Sequence, residues 1–331
     1  MAERTIYDIA KMAGVSASTV SRVINNKDGV RKETRERISQ LLKQYNYIPN
    51  ETARGLVNQS SRIIGILIAD IRTTHHTDAV YFIERAFAKQ GYCCLILNTG
   101  TDPQEQAHYI QLLSQRKVDA AIFIGSIYQN DAIRQAVQTY LASTPIVLFN
   151  GYLDAPNLYG IIADEEGGVR SCVKLLAEKG RRHLGFIVNQ DTPSNLLKQS
   201  GFRLGMAMYC PDQPPCIEKL REDEENSVAA TRRLLKANPV IDGIIYSEDL
   251  LALAGLQAML EDGIRVPQQI AVVGINNSLY AQTSYPPMTS LDNMLYDLSI
   301  LAVHSLLQLL RGERVNQKMI LGTQIVERKT T

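Results

Sequence analysis

The feature that most constrains this chain is the alternation of short apolar runs with helical segments across residues 62–331. Segments with a 3.6-residue period, such as Val80–Gln90 and Gly168–Lys179, lie between most of the apolar runs. Nearly continuous apolar strands that alternate with helices are typical of parallel sheets covered by helices on both faces. Eight runs predict strands: Ile63–Ile68, Cys93–Asn98, Ala120–Ile124, Ile146–Asn150, Tyr159–Ala163, Leu184–Asn189, Ile241–Tyr246 and Ile270–Ile275.

The length of this region predicts two lobes, because a single hydrophobic core stops growing at ~250–300 residues. We expect the chain to cross between the lobes at Leu153–Asn157 and near Pro286–Leu291. Lobe one would then hold about residues 62–160 and 292–320, and lobe two about residues 161–290 and 321–331. Folds of this class bind ligands outside the carboxyl ends of their strands, so the predicted binding site is a cleft between the lobes.

Residues 1–60 differ from the rest of the chain in both pattern and charge. They show no strand pattern, and their ten Lys and Arg side chains against six Asp and Glu give a net charge of +4. The remainder carries −3, so the whole-chain net charge of +1 conceals a basic head and a slightly acidic body. A basic head is suited to the phosphates of a nucleic acid.

The segment TIYDIAKMAGVSASTVSRVI, residues 5–24, predicts a helix-turn-helix. Thr5 is placed to cap a first helix, and Gly14 suits the left-handed position that ends it. Ser16 is placed to cap a second helix, Ala17–Ile24, whose short polar face and Arg22 suit the major groove of DNA. A third helix is expected at about residues 32–45. The alternative is a helical hairpin that binds nothing.

This head resembles that of the lactose-repressor-like (LacI/GalR) family of bacterial transcription regulators. The resemblance is carried by TIYDIAKMAGVSASTVSRVINN, TRERI and YNYIPNETARGL, and in the body by GIRVPQQIAVVGINN, YPPMTSLD and IVERKTT. It implies an all-α helix-turn-helix headpiece at residues 1–48 and a hinge helix and linker at residues 49–60. It also implies an α/β body at residues 61–331, similar to periplasmic binding proteins and made of two doubly wound subdomains.

The resemblance implies that the second helix reads bases through Ala17, Ser18 and Arg22, with Arg22 bonding to guanine. In the hinge, Ala53 would let two copies approach each other, and Leu56 would enter the minor groove as an apolar wedge. The alternative for the hinge is an ordinary linker with one exposed leucine. A further set would contact phosphates and so carry little sequence information: Thr5, Tyr7, Ser16, Thr19, Ser21, Asn25, Tyr47 and Asn50.

The resemblance also implies that a small molecule binds between the lobes. Lys198 stands where the family usually has Arg, Glu248 where it has Asn, and Asn276 where it has Asp. Because Lys does not replace Arg at a bidentate site, we expect a modified sugar or another metabolite as readily as a simple sugar. The alternative is that these are ordinary polar residues. The candidate effector-binding residues are Thr73, His75, Asn150, Lys198, Glu248 and Asn276.

Other chemistries find little support in the sequence. Asp70, His75, His76 and Asp78 lack metal-ligand spacing, and adjacent His residues on a loop rarely converge on one ion. No P-loop, dinucleotide fingerprint or nucleophile elbow stands in the right context, so we expect neither an enzyme nor a cofactor. The five cysteines form no CxxC pair and are expected to be reduced thiols.

These patterns predict a cytoplasmic, homodimeric repressor that binds a palindromic operator and responds to a small effector. A cytoplasmic protein without a membrane partner is expected because no signal peptide and no apolar run of ~20 residues is found. The alternative is a solute-binding module that carries or senses a small ligand. The basic headpiece argues against that alternative.

Overall fold

The computed structural model describes residues 4–45, 47, 60–224 and 226–331. The chain divides into two compact units, Met1–Ser61 and Arg62–Thr331. The predicted hinge residues Asn50, Ala53 and Leu56 lie outside the described residues. No helix in the described part of the chain is long and apolar enough to cross a membrane.

The first unit contains the three predicted helices: α1 (Ile6–Ala13), α2 (Ala17–Ile24) and α3 (Lys32–Gln44). Thr5 and Asp8 form a capping box at the start of α1, and Gly14 ends that helix with a φ of 63°. Ser16 caps α2 by accepting from the backbone N–H of Thr19. The three helices bury a small common core of Ile9, Ala10, Ala13, Val20, Val23 and Ile38.

The second unit is built on two six-stranded sheets with helices on both faces, as the alternation predicted. Its first half contains β1 (Ile63–Ile68), α4 (Thr74–Ala88), β2 (Cys93–Asn98), α5 (Pro103–Gln115), β3 (Ala120–Ile124), a 3₁₀ turn (Ser126–Tyr128), α6 (Asp131–Tyr140), β4 (Ile146–Phe149), β5 (Leu158–Ala163) and α7 (Glu165–Glu178). The second half contains β6 (Leu184–Val188), α8 (Pro193–Tyr209), β7 (Cys216–Lys219), α9 (Val228–Ala237), β8 (Gly243–Tyr246), α10 (Asp249–Glu261), β9 (Ala271–Ile275), α11 (Leu279–Thr283), β10 (Thr289–Asp292), α12 (Leu295–Leu310), β11 (Lys318–Leu321) and β12 (Gln324–Val326).

Each sheet forms one lobe. The first sheet has the order β11-β5-β4-β3-β1-β2, with every neighbouring pair parallel. The second has the order β12-β10-β9-β8-β6-β7 and is parallel except for the β10–β12 pair. Each sheet is sandwiched between two apolar clusters, one on each face.

The chain crosses between the lobes three times: at Asp164, at Asn293–Met294 and at Gly322–Thr323. The predicted crossing at Leu153–Asn157 is wrong, because this segment joins β4 to β5 and the two strands pair in the same sheet. Lobe one therefore runs through β5 to Ala163. The second crossing was predicted near Pro286–Leu291. The chain leaves lobe two a few residues later, at Asn293–Met294, because Thr289–Asp292 forms β10 of that lobe.

The helices α7 and α8 approach so closely that Gly201 has no room for a side chain. A Cβ atom built on Gly201 would lie 2.2 Å from the backbone oxygen of Glu166. We expect Gly201→Ala to lower the free energy of unfolding by about 1–3 kcal/mol, because the backbone of α7 would have to shift. The measurement is urea unfolding followed by circular dichroism.

Gly322→Ala is the matched control for this substitution. A Cβ atom on Gly322 would meet nothing within 4 Å. Its unfolding midpoint should therefore stay close to that of the wild type. Equal midpoints for the two variants would contradict the close approach of the helices.

Candidate functional site

The first candidate site is the exposed face of α2 in the headpiece. Arg22 and Ser18 are exposed, and the Arg22 guanidinium lies beside Gly29, 3.3 Å from where a Cβ atom would stand. Ala17 is partly buried against the headpiece core, which leaves it less exposed than the sequence suggested. Arg22 is thus the long cationic side chain that this short polar face exposes.

The residues predicted to contact phosphates, apart from Asn50, lie in the described part of the headpiece. Thr5 and Ser16 both stand at helix N-termini, where backbone N–H groups and the helix dipole favour anions. Tyr7 is 74% exposed, whereas Tyr47 is partly buried. Thr19, Ser21 and Asn25 are partly buried, and Asn25 donates to the backbone oxygen of Ser21 at 2.8 Å.

The second candidate site is a polar cleft of about 270 Å³ between the two lobes of the body. It collects residues that come one to three positions after the strands: Asp70 after β1, Thr101 after β2, Ser126 after β3, Asn150 after β4, Glu165 after β5, Asn189 after β6, Glu248 after β8 and Asn276 after β9. This is the position where open parallel sheets bind ligands. All six predicted effector-binding residues line the cleft, including Thr73, His75 and Lys198.

Two of these strand ends require an unusual backbone. Asn150 and Asn276 have φ values of 55° and 105°. Asparagine accepts positive φ more readily than most residues, which explains why it stands at both turns. The turns carry the two amide side chains toward Glu165: Asn150 Nδ2 donates to Glu165 Oε1 at 3.2 Å, and the Asn276 amide oxygen accepts from Asn293 at 3.0 Å.

A buried carboxylate, Glu165, joins the two lobes at the centre of the cleft. Glu165 is the first residue of α7 in lobe two and is 2% exposed. Its Oε1 atom accepts from Asn150 of lobe one and, at 3.3 Å, from Asn293 at the second crossing. Its Oε2 atom accepts from Ser194 Oγ at 2.5 Å. A second bond between the lobes runs from the Ser194 backbone N–H to Ser126 Oγ at 3.0 Å.

Three protein acceptors in the described chain surround the ammonium group of Lys198. Lys198 is 5% exposed, and its Nζ atom lies 3.4 Å from Glu165 Oε1. The same nitrogen donates to Asn195 Oδ1 at 3.3 Å and to the backbone oxygen of Ser247 at 3.2 Å. The pair of Lys198 and Glu165 therefore ties α7, α8 and the end of β8 together.

Lobe two presents a second carboxylate to the cleft, Glu248, which is partly exposed. Its Oε1 atom accepts from Asn189 Nδ2 at 2.8 Å. Asn189 is fixed in turn, because its Oδ1 atom accepts from Asn195 at 2.9 Å. The amide chain thus orients Glu248 toward the cleft without neutralising its charge.

The two adjacent histidines lie in the first turn of α4, not on a loop as the sequence suggested. Burial, and then the charges of His76 and Lys198, lower the pKa of His75 to about 3. Burial also lowers the pKa of His76. The Nδ1 atoms of both rings are buried and find no hydrogen-bond partner among the described residues. At neutral pH both rings are therefore uncharged, and each has a buried nitrogen without a partner in the described chain.

The low pKa of His75 predicts a loss of stability in mild acid. The unfolded chain protonates this ring near its ordinary pKa of about 6.5, whereas the folded chain resists protonation until about pH 3. The unfolded state therefore binds more protons, and stability falls as the pH drops below about 6.5. From pH 6 to pH 5 the wild type should lose about 1 kcal/mol more unfolding free energy than His75→Gln. Urea unfolding at the two pH values measures this difference.

His108→Gln serves as the control, because His108 is exposed on α5. Its unfolding free energy should follow the same pH dependence as the wild type. If His75→Gln also follows the wild-type curve, the uncharged buried ring is contradicted.

Sequence reasoning missed several cleft residues, above all Glu165. The signal was present, because Asp164 and Glu165 follow the predicted strand Tyr159–Ala163 directly. The rule that ligands bind at carboxyl strand ends would have selected Glu165, and it would also have selected Ser126. The sequence analysis placed Asn189 at the end of the predicted strand Leu184–Asn189. In the structure the strand ends at Val188, and Asn189 is the first residue after it.

A helix-turn-helix head and a two-lobed body with a polar cleft define a DNA-binding transcriptional regulator with a ligand-binding domain. Residues 5–50 match the bacterial regulatory proteins of the lacI family, and residues 173–331 match the periplasmic binding protein-like domain. An HTH-type transcriptional regulator of Lachnoclostridium phytofermentans is 32% identical over 98% of this chain and 99% of its own length. The chain belongs to the lacI family of bacterial transcription regulators.

Other relatives and solved structures agree with this assignment. The ribose operon repressor of Halalkalibacterium halodurans is 28% identical over 99% of this chain and 97% of its own. The structure of the Lac repressor dimer bound to operator and the anti-inducer ONPF has a TM-score of 0.89 at 25% identity and covers 99% of both chains. The transcriptional regulator CelR in complex with cellobiose has a TM-score of 0.71 at 25% identity, covering 99% of this chain and 100% of CelR. A solute-binding module alone does not account for the matched headpiece.

Proposed function

We propose that this protein is a cytoplasmic repressor that binds a palindromic operator as a homodimer and is controlled by a small molecule in the cleft. The observation that carries the proposal is the capped helix α2 with its exposed Arg22, in the same chain as a polar cleft that joins two lobes. Two headpieces related by a twofold axis match two half-sites of a palindrome. Repression is supported by the relatives, which include repressors of sugar operons.

In this proposal each helix α2 enters a major groove. Arg22 bonds to guanine, and Ser18 and Ala17 contact neighbouring base edges. The surrounding hydroxyl, amide and phenol groups, together with Asn50, hold phosphates and fix the register of the head on the duplex.

The effector is proposed to bind against Thr73, His75, Asn150, Glu248 and Asn276, with Lys198 behind them. Its binding would change the angle between the lobes, because the Asn150–Glu165 and Ser126–Ser194 bonds link the lobes at the same cleft. The headpieces of a dimer would then separate or approach, which makes operator affinity depend on the effector.

Selection from random double-stranded DNA tests the proposal. The full-length protein should enrich a symmetric site, and analytical ultracentrifugation should show two chains on one site. Enrichment of an asymmetric site, or of none, would contradict it. A change in operator affinity on adding a cleft ligand would support the control step.

A separate prediction concerns Leu56, which we propose to act as a wedge in the minor groove at the operator centre. Leu56→Ala should weaken operator binding and reduce bending, because unstacking a base step needs an apolar group of sufficient size. Gel-shift assays on circularly permuted operator fragments measure both quantities. Leu42→Ala, in the headpiece core, would instead lower stability. Equal affinity and equal bending for the wild type and Leu56→Ala would rule out the wedge.

A further inference from the structure

The charges inside the cleft do not cancel. Lys198 has three N–H donors, and three acceptors lie within 3.4 Å of its nitrogen: Glu165, Asn195 and the backbone oxygen of Ser247. Two of these donors are bonded to neutral acceptors, and the positive charge is matched by the buried Glu165 carboxylate. Lys198 therefore offers little net charge to an anionic ligand.

Glu248 has no such counter-ion. Among the residues that the structure describes, no Lys, Arg or His forms an ion pair with it, and its one donor is the neutral amide of Asn189. Asp70, at the rim of the cleft, is paired with Arg72 at 2.7 Å. Within the described chain, Glu248, the N-cap residue of α10, is thus the carboxylate of the cleft lining that has no ion-pair partner.

The remaining polar groups of the wall are suited to hydroxyls. The Nδ1 atoms of His75 and His76 are buried and unpartnered within the described chain. A neutral imidazole nitrogen is a donor in one tautomer and an acceptor in the other, and a hydroxyl group can satisfy either. A carboxylate or phosphate could pair only with the donor form.

The size and shape of the cleft narrow the ligand further. Its volume of about 270 Å³ lies just below the ~300–1,000 Å³ of ordinary small-molecule pockets. Phe149 is the one phenyl ring in its lining, and its side chain is fully buried in the core. The cleft therefore favours a ligand of monosaccharide size over a disaccharide or a stacked aromatic base.

We propose that the cleft selects a small polyhydroxylated amine, of the amino-sugar class, whose ammonium group pairs with Glu248 and whose hydroxyls face His75 and His76. This inference rests on the proposed function, in which the cleft is the effector site. In this inference Glu248 determines the selectivity of the cleft for cationic over anionic ligands. Sugar phosphates and acidic sugars are excluded, because their charge would face Glu248 with no free cation to receive it.

Matched sugar sets test the inference by isothermal titration calorimetry on the full-length protein. Each set contains a hexose, its 2-amino-2-deoxy form and its 6-phosphate, in the gluco, galacto and manno series. A further pair, sorbitol and 1-amino-1-deoxysorbitol, tests an amine at the end of an open chain instead of at position 2 of a ring. The variants are Glu248→Gln, which removes the charge at nearly constant shape, and Glu222→Gln, which removes an exposed charge of lobe two outside the cleft lining.

The expected result is that at least one amine binds about tenfold or more tightly than its neutral partner, and that the phosphates do not bind. The preference should disappear in Glu248→Gln and persist in Glu222→Gln. Tighter binding of a neutral or phosphorylated sugar overturns the inference, and so does a preference for the amine that survives Glu248→Gln. Neither result contradicts the proposal that the cleft binds an effector. Absence of binding by every amine also overturns it. The proposed function fails on a different observation, the lack of an enriched symmetric DNA site.

Discussion

Arg22→Ala is expected to abolish most of the sequence specificity of DNA binding. A bidentate Arg–guanine contact contributes about 1–3 kcal/mol of discrimination, which is about a 5- to 150-fold change in affinity for each half-site. Binding to unrelated DNA should change little, because it depends on the summed phosphate contacts. Fluorescence anisotropy with the selected operator and with a scrambled duplex, at one salt concentration, measures the ratio of the two affinities.

Lys43→Ala is the matched control for Arg22→Ala. Lys43 is also an exposed cation, but it lies in the last turn of α3 rather than on the face of α2. It should leave the specificity ratio unchanged. If Arg22→Ala lowers affinity for the operator and the scrambled duplex by the same factor, Arg22 contacts phosphates and not bases.

Glu165→Ala is expected to destabilise the body by about 3–5 kcal/mol. The substitution leaves the ammonium group of Lys198 buried without its carboxylate, and breaking one side of a buried ion pair typically has this effect. The side chains of the pair are 6% and 1% exposed, so solvent screening does not reduce it. The amides of Asn150 and Asn293 also lose their acceptor. Urea unfolding gives the free energy difference.

The double variant Glu165→Leu with Lys198→Met separates the ion pair from simple packing. Because it removes both charges together, most of the lost stability should return. Asp191→Ala provides the surface reference, since the Asp191–Lys219 pair is about half exposed and should contribute less than about 1 kcal/mol. Equal losses for Glu165→Ala and Asp191→Ala would contradict the buried pair.

The sequence pattern predicted the elements whose formation depends on local chemistry. The first two headpiece helices were predicted with correct bounds, because Thr5, Gly14 and Ser16 are specific end signals. Eight strands were visible as apolar runs, although β2, at the edge of its sheet, has no buried residue. Four strands were missed: β7, β10, β11 and β12 are three or four residues long and mix polar with apolar side chains. Their pairing depends on neighbours that are distant in sequence.

The crossing at Leu153–Asn157 was mispredicted for a related reason. Parallel neighbours are usually joined by a helix, so a short Pro-containing connection suggested that the chain leaves the sheet. Here eight residues, 150–157, join β4 to the adjacent β5 without a helix. The direct pairing of β5 with β4, and its pairing with β11 on the other side, place both strands in the first lobe.

The sequence predicted the location of the cleft, but it did not predict which side chains of the cleft pair with one another. The six residues proposed from the family pattern all line it, because strand ends and the N-terminal turns of helices converge there. The ion pair between Lys198 and Glu165 could not be inferred, since the two residues are 33 positions apart in the sequence and come together only when α8 packs on α7. The charge that the cleft presents to a ligand therefore depends on how the helices of the lobe pack, and it could not be predicted from the residue types alone.

The three crossings also constrain the order in which the body can be made. Strands β11 and β12, one in each sheet, come from residues 318–326, so neither lobe has its full set of strands until that segment has been synthesised. Until then β5 and β10 each have one unpaired backbone edge, which is a template for association with other chains. The three headpiece helices, the last of which ends at Gln44, have no such dependence. A ribosome that stalls before residue 318 would release a chain with a finished DNA-binding head and two open sheets, which is a target for chaperones or proteolysis.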